Sequence, residues 1–262
     1  MFAGMKVALT VAGSDSGAGA GIQADLFSFA ANGVYGTSAV AALTAQNPDG
    51  VRSIQASAPA FLKDQLEAVC EYYRPSAAKC GMLFNAELIE VAANFFEKNR
   101  SIKLVVDPVM ISTSGAVLLK PDAVETLLAR LAPLADLVTP NLDEAAHILK
   151  CEKITLAEMD ACARELSEML RAPVLLKGGH LEDSEELADT LAHSEKICRY
   201  VSERLRGVNS HGSGCTLSAA IAARLALGEP LETACERARA YLFDGLKNPI
   251  KLERDSFINH FV

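Results

Sequence analysis

The sequence predicts an α/β fold in which a mostly parallel sheet is covered by helices on both faces. Short apolar runs alternate with longer helical patterns along the 262 residues, and most of these runs end in Gly, Asp, Asn or Lys. Half of the residues are hydrophobic, so the chain can bury a large core. No internal repeat, low-complexity tract or linker rich in Pro or Ser interrupts it, which favours a single domain over residues 1–262.

The first unit reads as a strand, a glycine-rich turn and a helix. Lys6–Val11 is an apolar run, Gly13–Gly21 supplies the turn, and the helical pattern Ile22–Ala31 ends at Asn32-Gly33. The next strands are predicted at Tyr35–Ala45, Ala77–Cys80, Leu104–Asp107, Leu137–Thr139 and Val174–Lys177, with a hairpin at Leu187–Leu191 and Ile197–Ser202. Helices are predicted at Pro59–Tyr72, Asn85–Lys98, Asp122–Leu131, Leu142–Leu149, Thr155–Leu170, Gly214–Ala226 and Leu231–Leu246.

Charge and cysteine content exclude several classes of protein. The formal net charge is −8 and basic clusters are missing, which argues against binding to nucleic acid or to a membrane surface. Seven cysteines form no C-x-x-C pair, so neither a disulfide framework nor a zinc site is indicated. The apolar run Val7–Ala12 is too short for a signal peptide, and we expect a cytoplasmic protein.

One glycine-punctuated segment, Gly207–Ile221, points to an anion. Gly212 and Gly214 allow a tight turn, and the first free N–H groups of the following helix, together with its dipole, form a phosphate site. Cys215 falls in the first turn of that helix, where a thiol pKa is readily lowered. The alternative is a purely structural turn in which Cys215 is a small buried hydrophobe.

Polar residues that follow the predicted strands form a second group of candidates. Asp107 and Lys177 each end an apolar strand, and Asn141 and Glu144 lie in the first turn of the helix after another. The ends of parallel strands meet at one edge of a sheet, so these groups converge, and they suit phosphoryl transfer from a magnesium-bound phosphate donor. Taken singly, each also has a structural explanation as a turn residue or helix cap.

A nicotinamide or flavin site is a competing interpretation that the sequence disfavours. Gly19-Ala-Gly21-Ile-Gln-Ala24 fits a dinucleotide fingerprint, but Asp15 intervenes before it and the second strand ends in Gln46 rather than an acid. A P-loop is excluded because Ser213 stands where its lysine is required.

A series of motifs spread over nearly the whole length matches one known family in order: Ala12–Asp15, Gly19–Leu26, Gly36–Ser38, Ala42–Asn47, Lys79–Met82, Val106–Met110, Thr139–Glu144, Leu176–His180, His211–Thr216 and Asn259–Phe261. Through these segments the chain resembles the ribokinase superfamily and, within it, the hydroxymethylpyrimidine/phosphomethylpyrimidine kinases of thiamine biosynthesis. This resemblance implies a ribokinase-like three-layer α/β/α fold and an ATP- and Mg²⁺-dependent kinase, a homodimer by family analogy.

The resemblance also implies roles for individual residues. Gln46 would read the aminopyrimidine edge, since an amide offers a donor and an acceptor together, and the rest of the substrate pocket would be Gly13, Asp15, Ala20, Thr44 and Met82. The groups that handle Mg·ATP would be Lys177, Asn141, Glu144, Asp107 and Ser210, with Asp107 and Glu144 beside the metal. The catalytic loop would be Gly212, Ser213, Gly214 and Cys215, with cysteine where most sugar kinases of the superfamily have an aspartate base.

Two other functions remain open from the sequence. Related enzymes accept vitamin B6 alcohols, so a pyridoxal-type kinase is the nearest rival, and Gln46 is the discriminating residue. A non-catalytic pyrimidine- or nucleotide-binding protein is a rival of another class. Small departures from the family pattern, such as Ser210 and Ser213 in place of threonines, keep the hydroxyl groups, so we expect activity to survive them.

Overall fold

A computed structural model describes residues 4–110, 119, 121–179 and 186–261, so His180 of the quoted motif lies outside the described residues. It confirms the predicted α/β class. The strands of the main sheet are β1 (Val7–Ser14), β2 (Tyr35–Asn47), β3 (Gly50–Ala56), β4 (Ala77–Cys80), β5 (Lys103–Val106), β6 (Leu137–Val138), β7 (Val174–Leu176), β8 (Glu186–His193) and β9 (Lys196–Glu203). A separate two-stranded ribbon consists of β10 (Ile250–Lys251) and β11 (Ser256–Phe257).

Eight α-helices are present in the described part of the chain. They are α1 (Gly21–Ala31), α2 (Pro59–Tyr73), α3 (Ala86–Lys98), α4 (Pro121–Thr126), α5 (Leu142–Leu149), α6 (Met159–Leu170), α7 (Ser213–Ala226) and α8 (Leu231–Lys247). After α4 the chain continues as a π-helical turn over Leu127–Leu131 and a 3₁₀ turn over Ala132–Leu134, where the sequence predicted one regular helix.

The sheet has the strand order β3-β2-β1-β4-β5-β6-β7-β8-β9. The six central strands from β2 to β7 are parallel, and antiparallel pairing is confined to β3 at one side and to the β8–β9 hairpin at the other. Strand β1 pairs with β2 on one side and with β4 on the other, so the order of strands reverses beside it. In such sheets a crevice opens beyond the carboxyl ends of the strands at this point, where ligands bind.

Two hydrophobic cores bury the two faces of the sheet. Helices α2 to α6 cover one face around buried Leu62, Ile89 and Phe96, and α1, α7 and α8 cover the other around Phe29 and Ile221. Short central strands such as β4 are buried on both faces and carry no polar alternation, which is the pattern of a parallel sheet between helical layers.

Further elements differ from the sequence predictions. Strand β1 runs on through Gly13 to Ser14, so the glycine turn is shorter than expected. Helix α6 begins at Met159 rather than at Thr155, which lies in the preceding turn. Strand β3 was not predicted because its residues are half-buried or exposed and make no apolar run. It lies at the edge of the sheet and is a strand because it pairs with β2.

No helix within the described ranges is long and apolar enough to cross a membrane.

Candidate active site

The centre of the site is a buried ion pair between Asp107, directly after β5, and Lys177, directly after β7. Lys177 Nζ lies 2.9 Å from Asp107 Oδ1, which also accepts the Thr139 hydroxyl at 3.1 Å. The hydroxyl of Ser218 on α7 donates to Asp107 Oδ2 at 3.2 Å. Burial by itself raises the pKa of Asp107, but the Lys177 and Lys79 ammonium groups outweigh it and hold the pKa below its ordinary value.

A capping box brings Asn141 and Glu144 to the same edge of the sheet. The Asn141 side chain accepts the Glu144 N–H at 2.8 Å, while Glu144 Oε2 accepts the Asn141 N–H at 2.8 Å. Glu144 Oε1 also accepts the N–H of Met110 at 3.3 Å. Burial raises the pKa of Glu144 to about 7, although nearby Lys177 acts in the opposite direction. The sequence pattern for a cap was right, and the cap delivers a nearly buried carboxyl group to the site.

The predicted anion loop leads into α7 directly above this ion pair. Gly212 is the N-cap of α7 with a φ of +81°, and a side chain there would overlap the carbonyl oxygen of Gly19. A Cβ placed on Gly214 would lie 3.3 Å from Lys177 Nζ and 3.6 Å from Asp107 Oδ2. The first turn of α7 therefore presents its N–H groups next to a buried lysine, which is the arrangement of an oxyanion or phosphate site.

Ser210 and Ser213 close the turn before α7. The Ser213 N–H donates to the Ser210 carbonyl oxygen at 3.0 Å, and the Thr216 N–H donates to the Gly212 carbonyl oxygen at 2.8 Å. The Ser213 amide is thus used within the loop. The amides of Gly214 and Cys215, which follow it in the first turn of α7, are better placed to meet an anion.

The environment of Cys215 differs from the one expected at a helix N-terminus. Burial raises the pKa of the Cys215 thiol, and the charges of Asp25 and Asp107 act in the same direction. The Lys79 ammonium and the Gly21 backbone lower the pKa but do not overcome burial. The expectation of a lowered thiol pKa is therefore wrong: burial outweighs the groups that lower it, and Cys215 is a neutral thiol near pH 7.

Asp15 organises the turn after β1. Its Oδ1 accepts the Gly17 N–H at 2.7 Å and its Oδ2 accepts the Ala20 N–H at 2.9 Å. His211 of the anion loop places Nε2 3.4 Å from Asp15 Oδ2. Burial raises the Asp15 pKa, but bonds from His211, Gly17, Gln46 and Ala20 bring it below its ordinary value. Asp15 thus joins the glycine turn to the anion loop.

The remaining predicted pocket residues gather at the ends of β1, β2 and β4. A Cβ on Gly13 would lie 2.5 Å from Met82 Cε, so a side chain at position 13 would push the end of the Met82 side chain aside. The Thr44 hydroxyl donates to the Ser14 carbonyl oxygen at 2.9 Å, and the backbone of Gln46 is bonded through both its N–H and its carbonyl to the Ser16 hydroxyl at 2.8 Å. The structure therefore brings Gly13, Thr44, Gln46 and Met82 to the carboxyl ends of β1, β2 and β4.

Two features of this region were not found by sequence reasoning. Asn209 of the anion loop donates to Asp255 of the C-terminal ribbon at 3.0 Å, and its own Oδ1 accepts the His211 N–H at 2.9 Å. Lys79 and Asp25 form a second ion pair beside the site, with no exposed side-chain surface on either partner. No sequence pattern marks these contacts, because the partners are 46 and 54 residues apart.

Over the described ranges, no group of three or more His, Cys, Asp and Glu side chains is placed to hold a metal ion. Asp107 and Glu144 are two carboxyl groups near one lysine, and Mg²⁺ in phosphoryl-transfer sites is bound by one or two carboxylates together with phosphates and water. The donor set fits a magnesium ion that arrives with a nucleotide and does not fit an all-protein metal cage.

Comparison with known proteins shows which family this chain belongs to. A model of the family described as phosphomethylpyrimidine kinase matches residues 15–259. The chain belongs to the phosphomethylpyrimidine kinase family. It is 43% identical over 250 residues to a hydroxymethylpyrimidine/phosphomethylpyrimidine kinase of Rhizobium meliloti, covering 94% of this chain and 92% of that one.

Two further similarities concern a longer relative and a solved structure. The bifunctional thiamine biosynthesis protein ThiED of Geobacter sulfurreducens is 46% identical over 235 residues, 89% of this chain, which spans only 48% of that relative. A crystal structure of Bacillus subtilis pyridoxal kinase as an ADP complex superimposes with a TM-score of 0.89 at 32% identity, covering 98% of both chains. The expected ribokinase-like α/β/α fold is thereby confirmed.

Proposed function

We propose that this chain is a kinase that transfers the γ-phosphoryl group of ATP first to 4-amino-5-hydroxymethyl-2-methylpyrimidine and then to the resulting monophosphate. The observation that carries the proposal is the position of the first turn of α7. Gly214 in this turn lies beside the Asp107–Lys177 pair, while Gly212 just before it touches Gly19 of the turn after β1, which Asp15 and His211 tie to the anion loop. A donor phosphate and an acceptor can thus meet at one set of amides.

The nucleotide side is proposed to bind Mg·ATP. Lys177 would pair with a phosphate oxygen, and the carboxyl groups of Asp107 and Glu144 would face the metal, which when bound neutralises charge on the phosphates. Asn141 fixes Glu144 through the capping box, and Ser210 closes the turn that shapes the anion loop. The ADP complex of the Bacillus subtilis pyridoxal kinase supports nucleotide binding in this fold.

The acceptor side is proposed to bind the pyrimidine. Gln46 would use its amide to bond to the ring nitrogen and amino group, and Thr44, Ala20, Asp15, Gly13 and Met82 would enclose the ring. In the first step the hydroxymethyl oxygen attacks the γ-phosphorus, the bond to the β,γ-bridging oxygen breaks with ADP as the leaving group, and the hydroxyl proton passes to water or to an oxygen of the transferred phosphate. In the second step a phosphate oxygen is the attacking atom, so no proton has to be removed from a carbon-bound hydroxyl.

Positioning and charge neutralisation are proposed to do most of the catalytic work. The Gly214 and Cys215 amides stabilise the negative charge on the transferring group, which is the main demand of a loose transition state. Because Cys215 is protonated near neutral pH, its thiol is not proposed as the base.

A pyridoxal-type kinase remains the second candidate, because the Bacillus subtilis pyridoxal kinase aligns over 98% of the chain. Gln46→Ala distinguishes the two. We expect at least a tenfold loss of kcat/KM for the pyrimidine and little change for pyridoxal, measured by ADP release with each acceptor. A wild-type enzyme that turned over pyridoxal faster than the pyrimidine would reverse the assignment.

The oligomeric state and the cellular location are proposals as well. We propose a homodimer that works in the cytoplasm and consists of a single kinase domain over residues 1–262. Light scattering of the purified chain gives its mass directly, and a value near 28 kDa rather than twice that mass would refute the dimer.

A further inference from the structure

A buried ion pair that the proposed mechanism does not use lies on the acceptor side of the site. Lys79 on β4 and Asp25 on α1 are both completely buried, and Lys79 Nζ lies 2.8 Å from Asp25 Oδ1 and 3.0 Å from Asp25 Oδ2. Asp25 Oδ2 also accepts the Thr10 hydroxyl at 2.6 Å. Burying two charges in this way is costly and often contributes no net stability, so the pair calls for a role other than holding α1 to the sheet.

The Lys79 ammonium is directed toward the carboxyl end of β4. A Cβ built on Gly81, the first residue after that strand, would lie only 2.7 Å from Lys79 Nζ. Gly81 immediately precedes Met82, which packs against Gly13 in the acceptor pocket. A glycine at position 81 therefore leaves room for the ammonium beside the backbone that leads to Met82.

The Lys79–Asp25 pair acts on Cys215 as a net positive charge would. Burial raises the pKa of the Cys215 thiol, but the Lys79 ammonium lowers it more than the Asp25 carboxylate raises it. Lys79 also lowers the pKa of Asp107, second among charges only to Lys177. Of the two charges, Lys79 therefore has the stronger influence on Cys215 in the first turn of α7.

We propose that Lys79 is a positioning residue that favours the phosphorylated acceptor. Lys177 lies on the nucleotide side and Lys79 on the acceptor side, so a second phosphate brought in by the acceptor would meet a positive field from Lys79 across Gly81. Charges act over such separations in a poorly solvated interior without direct contact. This inference rests on the proposed function, because it explains how one site binds both the alcohol and its monophosphate.

The test compares binding of the two acceptors, without ATP, by calorimetry. The double variant Lys79→Met/Asp25→Asn removes both charges, while the new amide oxygen can still accept the Thr10 hydroxyl. We expect its Kd for the pyrimidine monophosphate to rise about tenfold and its Kd for the alcohol to change less than twofold. Lys79→Gln is a second variant, because its amide can still donate to Asp25 while the ammonium charge is removed, and the same direction is expected.

Thr10→Val is the matched control, since it disturbs the same buried cluster without changing its charge, and it should leave the ratio of the two Kd values unchanged. An equal loss of affinity for both acceptors, or a ratio that Thr10→Val shifts as much, would show a merely structural pair and overturn the inference. A wild-type chain that binds both acceptors without ATP-dependent turnover would instead refute the proposed function and leave the role of Lys79 standing. A chain that binds neither would refute both.

Discussion

Among single residues, the carboxyl groups of the site differ mainly in what opposes their burial. Asp107 bonds directly to Lys177 and keeps a low pKa, whereas the bonds that Glu144 accepts from described residues all come from backbone N–H groups and its pKa rises to about 7. Two carboxyl groups side by side thus differ in charge at neutral pH. The difference in pKa depends on which of the two carboxyl groups contacts Lys177, and the sequence does not reveal that contact.

The raised pKa of Glu144 predicts a pH-dependent effect of Glu144→Gln on stability. A carboxyl group whose pKa rises from 4.5 to about 7 on folding contributes stability below pH 4.5 that is lost as the pH rises through about 7. At pH 8 the charged Glu144 is therefore disfavoured by burial, so the stability of Glu144→Gln relative to wild type should be about 1–3 kcal/mol higher at pH 8 than at pH 5. The Gln amide can accept only one of the two backbone N–H groups that Glu144 accepts, and this loss applies at both pH values.

Thermal unfolding of both proteins at pH 5 and pH 8 measures this difference. Glu87→Gln is the control, because Glu87 is exposed in the first turn of α3 and should show no comparable pH dependence. A change in the free energy of unfolding on Glu144→Gln that is the same at both pH values would contradict the raised pKa of Glu144. Kinase activity of Glu144→Gln should be lost at either pH.

The neutral thiol of Cys215 predicts a mild phenotype for Cys215→Ser. A serine keeps the backbone amide and a small polar side chain in the first turn of α7, so we expect both phosphorylation steps to retain turnover within about tenfold. Single-turnover rates of wild type and Cys215→Ser with each acceptor measure the effect on each step. A folded variant that loses the first step alone, by a factor of about 10² or more as expected for a lost general base, would show that the thiol is the base.

Among the elements, the start of α7 is the most constrained. Gly212 has a left-handed backbone and touches Gly19, so the anion loop and the turn after β1 are packed backbone to backbone. We expect Gly212→Ala to separate these loops and to lower kcat/KM by a factor of about 10² or more, because misplaced amides no longer meet the developing charge.

Gly228→Ala provides the matched control for Gly212→Ala. Gly228 also has a positive φ, of +86°, but a side chain there would meet nothing within 4 Å. Steady-state kinetics should show near-normal activity for Gly228→Ala, with only a loss of stability of about 1 kcal/mol. Equal losses of activity in the two variants would mean that backbone strain, and not contact with Gly19, explains the effect.

The elements that sequence reasoning located well are those with one dominant signal. Ala77–Cys80 and Leu142–Leu149 match β4 and α5 at both ends, because a fully buried strand and a capping box leave clear patterns. Strand β3 was missed since its pairing with β2, and not its own composition, makes it a strand. The short ribbon of β10 and β11 gives no periodicity to detect.

The same contrast applies to the site. Asp107, Asn141, Glu144 and Lys177 could be placed together because each follows a strand of one parallel sheet. The Lys79–Asp25 pair could not, because a lysine within a buried strand has no local signature and its partner is on a distant helix. The shift of the Cys215 pKa depends on burial, which the helix position alone did not reveal.

For the whole molecule, the reversal of strand order beside β1 determines where the reaction is proposed to occur. It puts the pocket residues at the ends of β1, β2 and β4 and the phosphate-binding groups at the ends of β5 to β7, with the first turn of α7 between them. The family match over residues 15–259 covers both halves of this arrangement. The central claim is therefore that one site phosphorylates the pyrimidine twice.

The most direct test of that claim is to incubate the purified chain with Mg²⁺, ATP and 4-amino-5-hydroxymethyl-2-methylpyrimidine and to follow ADP and the phosphorylated products together. The account predicts that the monophosphate forms first and is then converted to the diphosphate, with two ADP released per pyrimidine consumed. Absence of pyrimidine-dependent ADP release, or a reaction that stops at the monophosphate, would contradict it.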